Sequence, residues 1–255
     1  MIEGIRIVLV RDIRTYFLNF YGIGFRTFYL FLETVIFAYV VSKAVSSTLI
    51  GGLSYLQFFA LGALVTSIFG SSYYVGRDVY KDRESGYLNY MMSLPIRRSE
   101  IIIARSLSGA TRAVFNVIPL YCLALLLVPT SLPNAVASLA LLFTFAVGVS
   151  GIAITVGLSV REEVKERLVG TLISLVLLRA STVMYPITAM PGWLQVGTKV
   201  DPVTYVSDSV RLLTLSQINE AMPLEEISAV LLFTALAGFL GSWLFSRVIE
   251  GGAAE

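Results

Sequence analysis

Between Ala113 and Val160 the chain carries no Asp, Glu, Lys or Arg, and the same holds from Ala44 to Tyr74 and from Ile227 to Ser246. These uncharged runs constrain the fold more than any other feature. About 20 apolar residues cross a bilayer as a helix. Inside the hydrocarbon a segment must satisfy its own backbone N–H and C=O groups, so runs of this kind fold as helices. Charged residues make up 14% of the 255, against about 25% in soluble domains. The expectation is a single all-α membrane domain over residues 1–255, with room for six transmembrane helices and no large soluble domain.

The spans are expected at about Phe25–Val41, Leu56–Tyr74, Ser99–Val128, Asn134–Val160, Leu168–Tyr185 and Ile227–Ser246. Ser99 is the expected cap of the third, which passes Arg105 and Arg112 and is expected to kink at Pro119. Residues 1–22 read as an amphipathic helix in the interface. At about 100° per residue, Ile2, Ile5, Leu9, Ile13, Tyr16 and Phe20 share a face, and Glu3, Arg6, Arg11 and Arg14 lie mostly away from it. No small-residue cleavage site follows, which argues against a signal peptide. After the fifth span, Pro186, Pro191, Pro202 and Pro223 punctuate residues 186–223. Asp201-Pro202 is a helix start, with an N-cap followed by Pro at the first helical position, so Pro202–Leu215 is expected to be helical. Trp193 and Tyr205 suit a membrane interface. The segment is expected to fold back as short re-entrant helices at the outer mouth.

Between the second and third spans lies the most charged stretch, Arg77 to Arg105. A polar island between spans must lie in water. Its apolar residues, Tyr87, Leu88, Tyr90, Met91, Met92 and Leu94, then need a cover. The island is either a solvated loop or a short helix, ended by Pro95, that plugs into a soluble partner. A second charged stretch, Arg161 to Arg167, reads as a solvated helical turn with Glu163 and Arg167 paired. Placing the N-terminus in the cytoplasm puts both stretches, Arg6, Arg11, Arg14 and Arg247 inside and leaves Lys199 and Arg211 outside, as the positive-inside rule requires. Both termini are then cytoplasmic.

Glu33 and Arg179 fall within the first and fifth spans, each about ten residues, or roughly 15 Å, from the cytoplasmic entry. An unpaired charge at that depth costs about 2.5–3.5 kcal/mol on insertion scales. The two are expected to pair, in a structural role or in the opening of a pathway.

The remaining inventory excludes several functions. There is no His, which removes His-based nucleophilic catalysis and His-ligated metal sites. The single cysteine, Cys122, lies in an apolar run and reads as packing. A net charge of +2 does not suggest nucleic-acid binding. No GxxxxGK[ST] motif is present, and the stretch Gly192 to Lys199 (GWLQVGTK) is a scrambled near miss.

Asp82 to Ile101, DRESGYLNYMMSLPIRRSEI, resembles the first cytoplasmic loop of membrane subunits of type-2 ABC exporters. Glu84, Gly86, Leu88, Leu94, Pro95, Arg98 and Glu100 match that family's pattern in type and order. MPGWLQ, Met190 to Gln195, and DPVTYVSDSVR, Asp201 to Arg211, look like its segment before the last span. Asp201 stands where Asn is usual, and Arg179 is unusual in a span that is typically apolar. The resemblance covers the whole chain. It implies an export permease that dimerises and binds two copies of a separate ABC ATPase, which would hold ATP and Mg, with no cofactor in this chain. It also implies that residues 77–98 contain a coupling helix, with Asp82, Arg83, Glu84, Gly86, Leu88, Met91, Leu94, Pro95, Arg98 and Glu100 as the coupling residues. The plasma membrane is the expected location, membrane lipid an expected partner, and a drug, lipid or glycan the expected substrate class. The competing reading is an ion-gradient-driven transporter using Glu33. A membrane enzyme is disfavoured, since paired intramembrane acids and nucleophile–base pairs are missing.

Overall fold

The computed structural model describes residues 2–18, 20–43, 54–94, 96–160, 162–215 and 224–252. Among these the chain is helical: α1 (Ile2–Leu18), α2 (Phe20–Ser42), α3 (Tyr55–Glu84), α4 (Tyr87–Ser93), α5 (Arg98–Leu127), α6 (Leu132–Ser159), α7 (Glu163–Ala180), a 3-10 turn (Ile187–Ala189), α8 (Gly192–Thr198), α9 (Pro202–Leu215) and α10 (Leu224–Gly252).

Local sequence sets several of the boundaries. Ser54 and Gln57 form a capping box at the start of α3: Ser54 Oγ accepts from the Gln57 N–H at 3.3 Å and Gln57 Oε1 from the Ser54 N–H at 3.2 Å. Gln57 Nε2 also donates to the Leu127 carbonyl at 2.9 Å, tying the start of α3 to the end of α5. Arg97, rather than Ser99, takes the extended position before α5, and α5 continues as one helix through Pro119.

α6 is the central element and packs on α3, α5, α9 and α10. It runs parallel to α3 and α10, since Phe69 meets Phe145, Gly76 meets Gly157, and Thr234 donates to the Thr144 carbonyl. α5 runs antiparallel to α3. The α3–α6 crossing is backbone on backbone. A Cβ on Gly157 would collide with the Gly76 carbonyl, and one on Gly76 with that of Ala153. Small residues permit this approach in membrane helices, where van der Waals contact replaces the hydrophobic drive. The larger core lies between α3, α5, α6 and α9 around Leu64, Phe69, Leu142 and Phe145. A smaller one gathers Val8, Val79, Leu88, Met91, Ile101 and Leu158 at the charged end of the bundle.

Five helices among the described residues are long and apolar enough to cross a membrane: Ile23–Ser42, Tyr55–Glu84, Ser99–Leu127, Leu132–Ser159 and Leu224–Gly241. α7, the expected fifth span, differs. It has 18 residues and takes the charged Glu163–Arg167 stretch as its own first turns. Its apolar part, Leu168 to Leu178, covers only roughly 16 Å at the helical rise. It nevertheless travels far. Glu166 and Gly170 lie beside Tyr73 and Arg77 near the charged end of α3, and after α7 the Met184 carbonyl accepts from Tyr55 OH at the opposite end.

Of the two forms expected for the island after α3, a solvated loop or a short helix, the structure has the helix. α3 itself extends to Glu84 and α5 begins at Arg98, so the connection is short and consists mainly of α4. Residues 186–215 form the 3-10 turn, α8 and α9. Pro191 precedes α8, and Trp193 on α8 is exposed. Pro202 opens α9, with Asp201 Oδ1 accepting from the Val203 N–H at 2.9 Å. Tyr205 packs against the larger core and its OH donates to the Lys199 carbonyl.

Burial pushes the Asp201 carboxyl up to about 7, with the Val203 N–H opposing the shift. Unfolded, it titrates near ~4. The folded state therefore holds a proton that the unfolded chain has lost, and this contribution to stability is full below about pH 4 and fades as pH rises to about 7. Asp201→Asn keeps the cap acceptor and removes the titration. The expected result is a melting temperature less dependent on pH between 4 and 7 and higher than wild type at pH 8, measured by thermal unfolding in detergent. Asp201→Ala loses the cap, about 1 kcal/mol.

Candidate functional site

At the charged end, α1, α3, α4 and α5 meet around a buried ion-pair cluster. Arg105, on the first half of α5, has a side chain only 2% exposed. It pairs with Asp82 near the end of α3. Asp82 also takes Arg11 of α1 at 3.2 Å, and Arg11 reaches Asp12 at 3.1 Å. One turn or two further along, Arg112 pairs with Asp78 at 2.7 Å. Asn116 accepts from Tyr16 of α1 and donates to Ser71 at 3.4 Å. The i, i+4 spacing of Asp78 and Asp82 on α3 places both on one face, and Arg105 and Arg112, seven apart on α5, are two turns apart on the facing side. These groups line a cleft of about 320 Å³ beneath α1.

α1 is amphipathic, but its buried stripe is Gly4, Val8 and Asp12, with Ile5, Leu9, Ile13 and Tyr16 beside it. Arg11 was expected to face away and instead turns into the cluster. Asp12 is buried among three arginines, a role with no sequence signal beyond the i, i+4 spacing from Val8. Its carboxyl is raised from the ordinary range by burial, against the opposing pull of Arg105, Arg112 and Arg11.

α4 hangs on this cluster. Arg11 stacks on the Tyr87 ring, 4.0 Å from its centroid. Gly86 has φ +75, a left-handed conformation that breaks the chain between α3 and α4 and disfavours any side chain. Leu94 ends α4 in an extended conformation, as expected before Pro95. Pro95 itself lies outside the described residues. Within α4, Leu88 and Met91 are 4% and 2% exposed. The expectation that they form the free docking strip is therefore revised. They cover the smaller core of this chain, and the outward side presents Asn89, Tyr90 and Ser93.

The other expected coupling residues divide. Asp82 faces inward. Arg83 Nη1 donates to the Leu158 and Val160 carbonyls at 2.6 and 3.2 Å, satisfying the open end of α6. Glu100 is buried beside Gly4 of α1. Glu84 is exposed at the end of α3. The side chain of Arg98, like that of Glu33 on α2, lies outside those described. Arg179 is exposed at the end of α7, its Nη1 2.9 Å from Met184 Sδ.

A second buried arginine sits at the opposite end. Arg211 of α9 donates to the Val183 carbonyl at 3.0 Å, lies 3.7 Å from the Phe58 ring centroid, and pairs with Asp208 at 3.2 Å. Asp208 also accepts from Thr182 at 2.8 Å. By charge counting Arg211 was only an outer basic residue; its i, i+3 spacing from Asp208 was the available clue.

Breaking a buried pair costs about 3–5 kcal/mol, because the surviving charge is left uncompensated. Arg105→Gln is expected to destabilise the protein by that order, Asp82→Asn by less because Arg105 keeps Asp12 nearby, and the double variant by less than the sum. Thermal unfolding of the four purified proteins measures the coupling, and plain additivity would contradict the network.

Comparison with known proteins places this arrangement. The profile of the ABC-2 type transporter family matches residues 3–215. A protein of Cyanophora paradoxa named "Putative transport permease ycf38" is 28% identical over 163 residues, 63% of this chain and 56% of its own length. Its namesake from Porphyra purpurea is 24% identical over 161 residues, 62% of this chain and 55% of its own. The matched region spans about half the length of these relatives. With the family profile matching from α1 through α9, the chain belongs to the ABC-2 type transporter family and is a multi-pass membrane protein.

Proposed function

We propose that the chain is the membrane-spanning half of an ATP-driven exporter. It pairs with a second permease, in a homodimer, and receives its driving force from a separate ABC ATPase that binds ATP and Mg. Membership of the ABC-2 family supports this reading, and the observation that carries it is the placement of α4. A seven-residue helix stands at the charged end, set off by Gly86 and the extended Leu94, rooted by Leu88 and Met91 and presenting Asn89, Tyr90 and Ser93 outward. A push on that face passes through Leu88 and Met91 to α3 and α5, and through Tyr87 and Arg11 to α1.

The same reading puts the charged end in the cytoplasm of a cell whose plasma membrane holds the protein. The ends of α3 and α6 meet there through Arg83, so residues 77–94, 96–105 and 162–167 lie on one side, in keeping with the positive-inside rule. α7 with the turn after it supplies the sixth crossing, from the level of Arg77 to that of Tyr55. α8 and α9 form the outer re-entrant cap. α1 lies in the interface with Ile7, Val10, Phe17 and Leu18, all exposed, toward lipid. The substrate class is an amphipathic drug, a lipid or a glycan carried on one.

Affinity purification of the tagged chain from its native membrane tests the coupling. Wild type is expected to bring down ATPase activity, and Tyr90→Asp to lose most of it at unchanged thermal stability. Leu88→Ala is expected to cost about 2–5 kcal/mol of stability through the cavity it leaves. Recovery of ATPase by Tyr90→Asp at the wild-type level would refute the docking face, and proton-driven uptake by the chain alone would favour the gradient-driven reading through Glu33.

Glu33 and Arg179 are proposed to pair across the first and fifth crossings, within one protomer or across the dimer, on their similar depth. No carboxylate lies within ion-pair distance of Arg179 among the described residues. Glu33→Gln and Arg179→Gln are each expected to lower transport, and the double variant to be less harmful than the two effects combined. An additive transport assay would rule the pair out.

A further inference from the structure

The cleft beneath α1 holds hydrogen-bonding groups that the chain leaves unused. Arg112 gives Nη1 to Asp78, but its buried Nη2 has no hydrogen-bond partner among the described residues. Arg105 gives Nη2 to Asp82, and its Nε is left over. Asp12 Oδ2 stands 3.6 Å from that Nε, beyond hydrogen-bond distance, and is itself without a hydrogen-bond partner among the described residues. A buried polar group left unmade costs about 1–3 kcal/mol. Two guanidinium N–H donors and one carboxylate acceptor thus remain to be satisfied at a cavity of about 320 Å³.

Their chemistry narrows the occupant. Two arginine donors in one cleft suit a phosphate, whose oxygens match the guanidinium fork. Asp78 and Asp82 are already engaged by Arg112, Arg105 and Arg11. With Lys81 at the edge, the cleft sets four cations against three carboxylates, a net positive site. The unused oxygen of Asp12 adds a selection: it repels a bare anion but accepts from one that keeps a hydroxyl. A phosphomonoester keeps a hydroxyl when singly protonated; a phosphodiester or carboxylate does not. The location points to a lipid. α1 lines the cleft with Arg11, Asp12, Thr15 and Tyr16 and turns Ile7, Val10, Phe17 and Leu18 outward, exposed, and Ile23 of α2 and Tyr74 of α3 form its wall toward the spans. That is the depth at which headgroups lie against an interfacial helix.

We propose that the cleft binds a phosphomonoester, with Arg105 Nε and Arg112 Nη2 donating to its oxygens and Asp12 Oδ2 accepting from its hydroxyl. The ester is the headgroup of a lipid of the phosphatidic acid type. The site belongs to the chain by itself and needs no ATPase, so its test is separate from that of the exporter reading.

Native mass spectrometry of the purified full chain in detergent tests this, with dioctanoyl phosphatidic acid, dioctanoyl phosphatidylglycerol and glycerol 3-phosphate as probes. Phosphatidic acid is expected to bind at least ten-fold more tightly than phosphatidylglycerol. Arg112→Gln is expected to weaken phosphatidic acid binding ten-fold or more, and Asp12→Ala to narrow the preference between the two lipids. Glycerol 3-phosphate failing to compete assigns the site to lipid; competition at similar concentration shows the same phosphate chemistry but overturns the lipid assignment. Equal binding of the two lipids by wild type overturns the proposal without any variant. So does unchanged binding by a folded Arg112→Gln.

Discussion

Arg105 is the point on which the charged end of the bundle turns. A guanidinium at that depth, with almost no solvent contact, is tolerable only beside opposite charge. Asp82 of α3 and Asp12 of α1 supply it, and each is in turn engaged by Arg11. The requirement fixes the angle at which α1 crosses α3 and α5, and keeps α3 helical through Asp82 when its apolar stretch has already ended. It also places Tyr87, and so α4, beneath Arg11. One desolvated arginine therefore organises four helices, and they are the four that any force applied at α4 would reach first.

The opposite end of α3 has its own arginine. Arg211 fills the space between Phe58 and the turn after α7, donating to the Val183 carbonyl within that turn. This closes the backbone of an irregular segment against protein, the condition under which irregular backbone persists beside a membrane. α3 is thus tied at one end to α1, α4 and α5 and at the other to α7 and α9, and along its middle it touches the α6 backbone at Gly76 and Gly157. It is built as a rigid strut joining the two ends.

By contrast, α2 and α10 turn much of their surface outward, with Phe25, Phe28, Tyr29 and Ile36 on one and Leu231, Leu232, Leu236 and Phe239 on the other. Lipid tails are as apolar as these side chains, so such exposure carries no penalty in a membrane.

The sequence by itself determined the class. Uncharged runs of bilayer length have one stable backbone form, and the helical class, the cap at Asp201, the end of α4 before Pro95 and the family pattern were legible because each depends on neighbouring residues alone. The facing of side chains was not. Leu88 and Met91 look like an exposed apolar strip until α1, α3 and α5 close over them, and Arg11, Asp12, Asp82, Arg105 and Arg211 look like surface charges until partners distant in the chain draw them inward. α7 likewise reads as an ordinary span, yet it starts within its own charged turn and ends early. Burial, ion pairing and the cleft beneath α1 are products of contacts between segments up to about 150 residues apart, such as Phe58 with Arg211, and only the tertiary structure decides them.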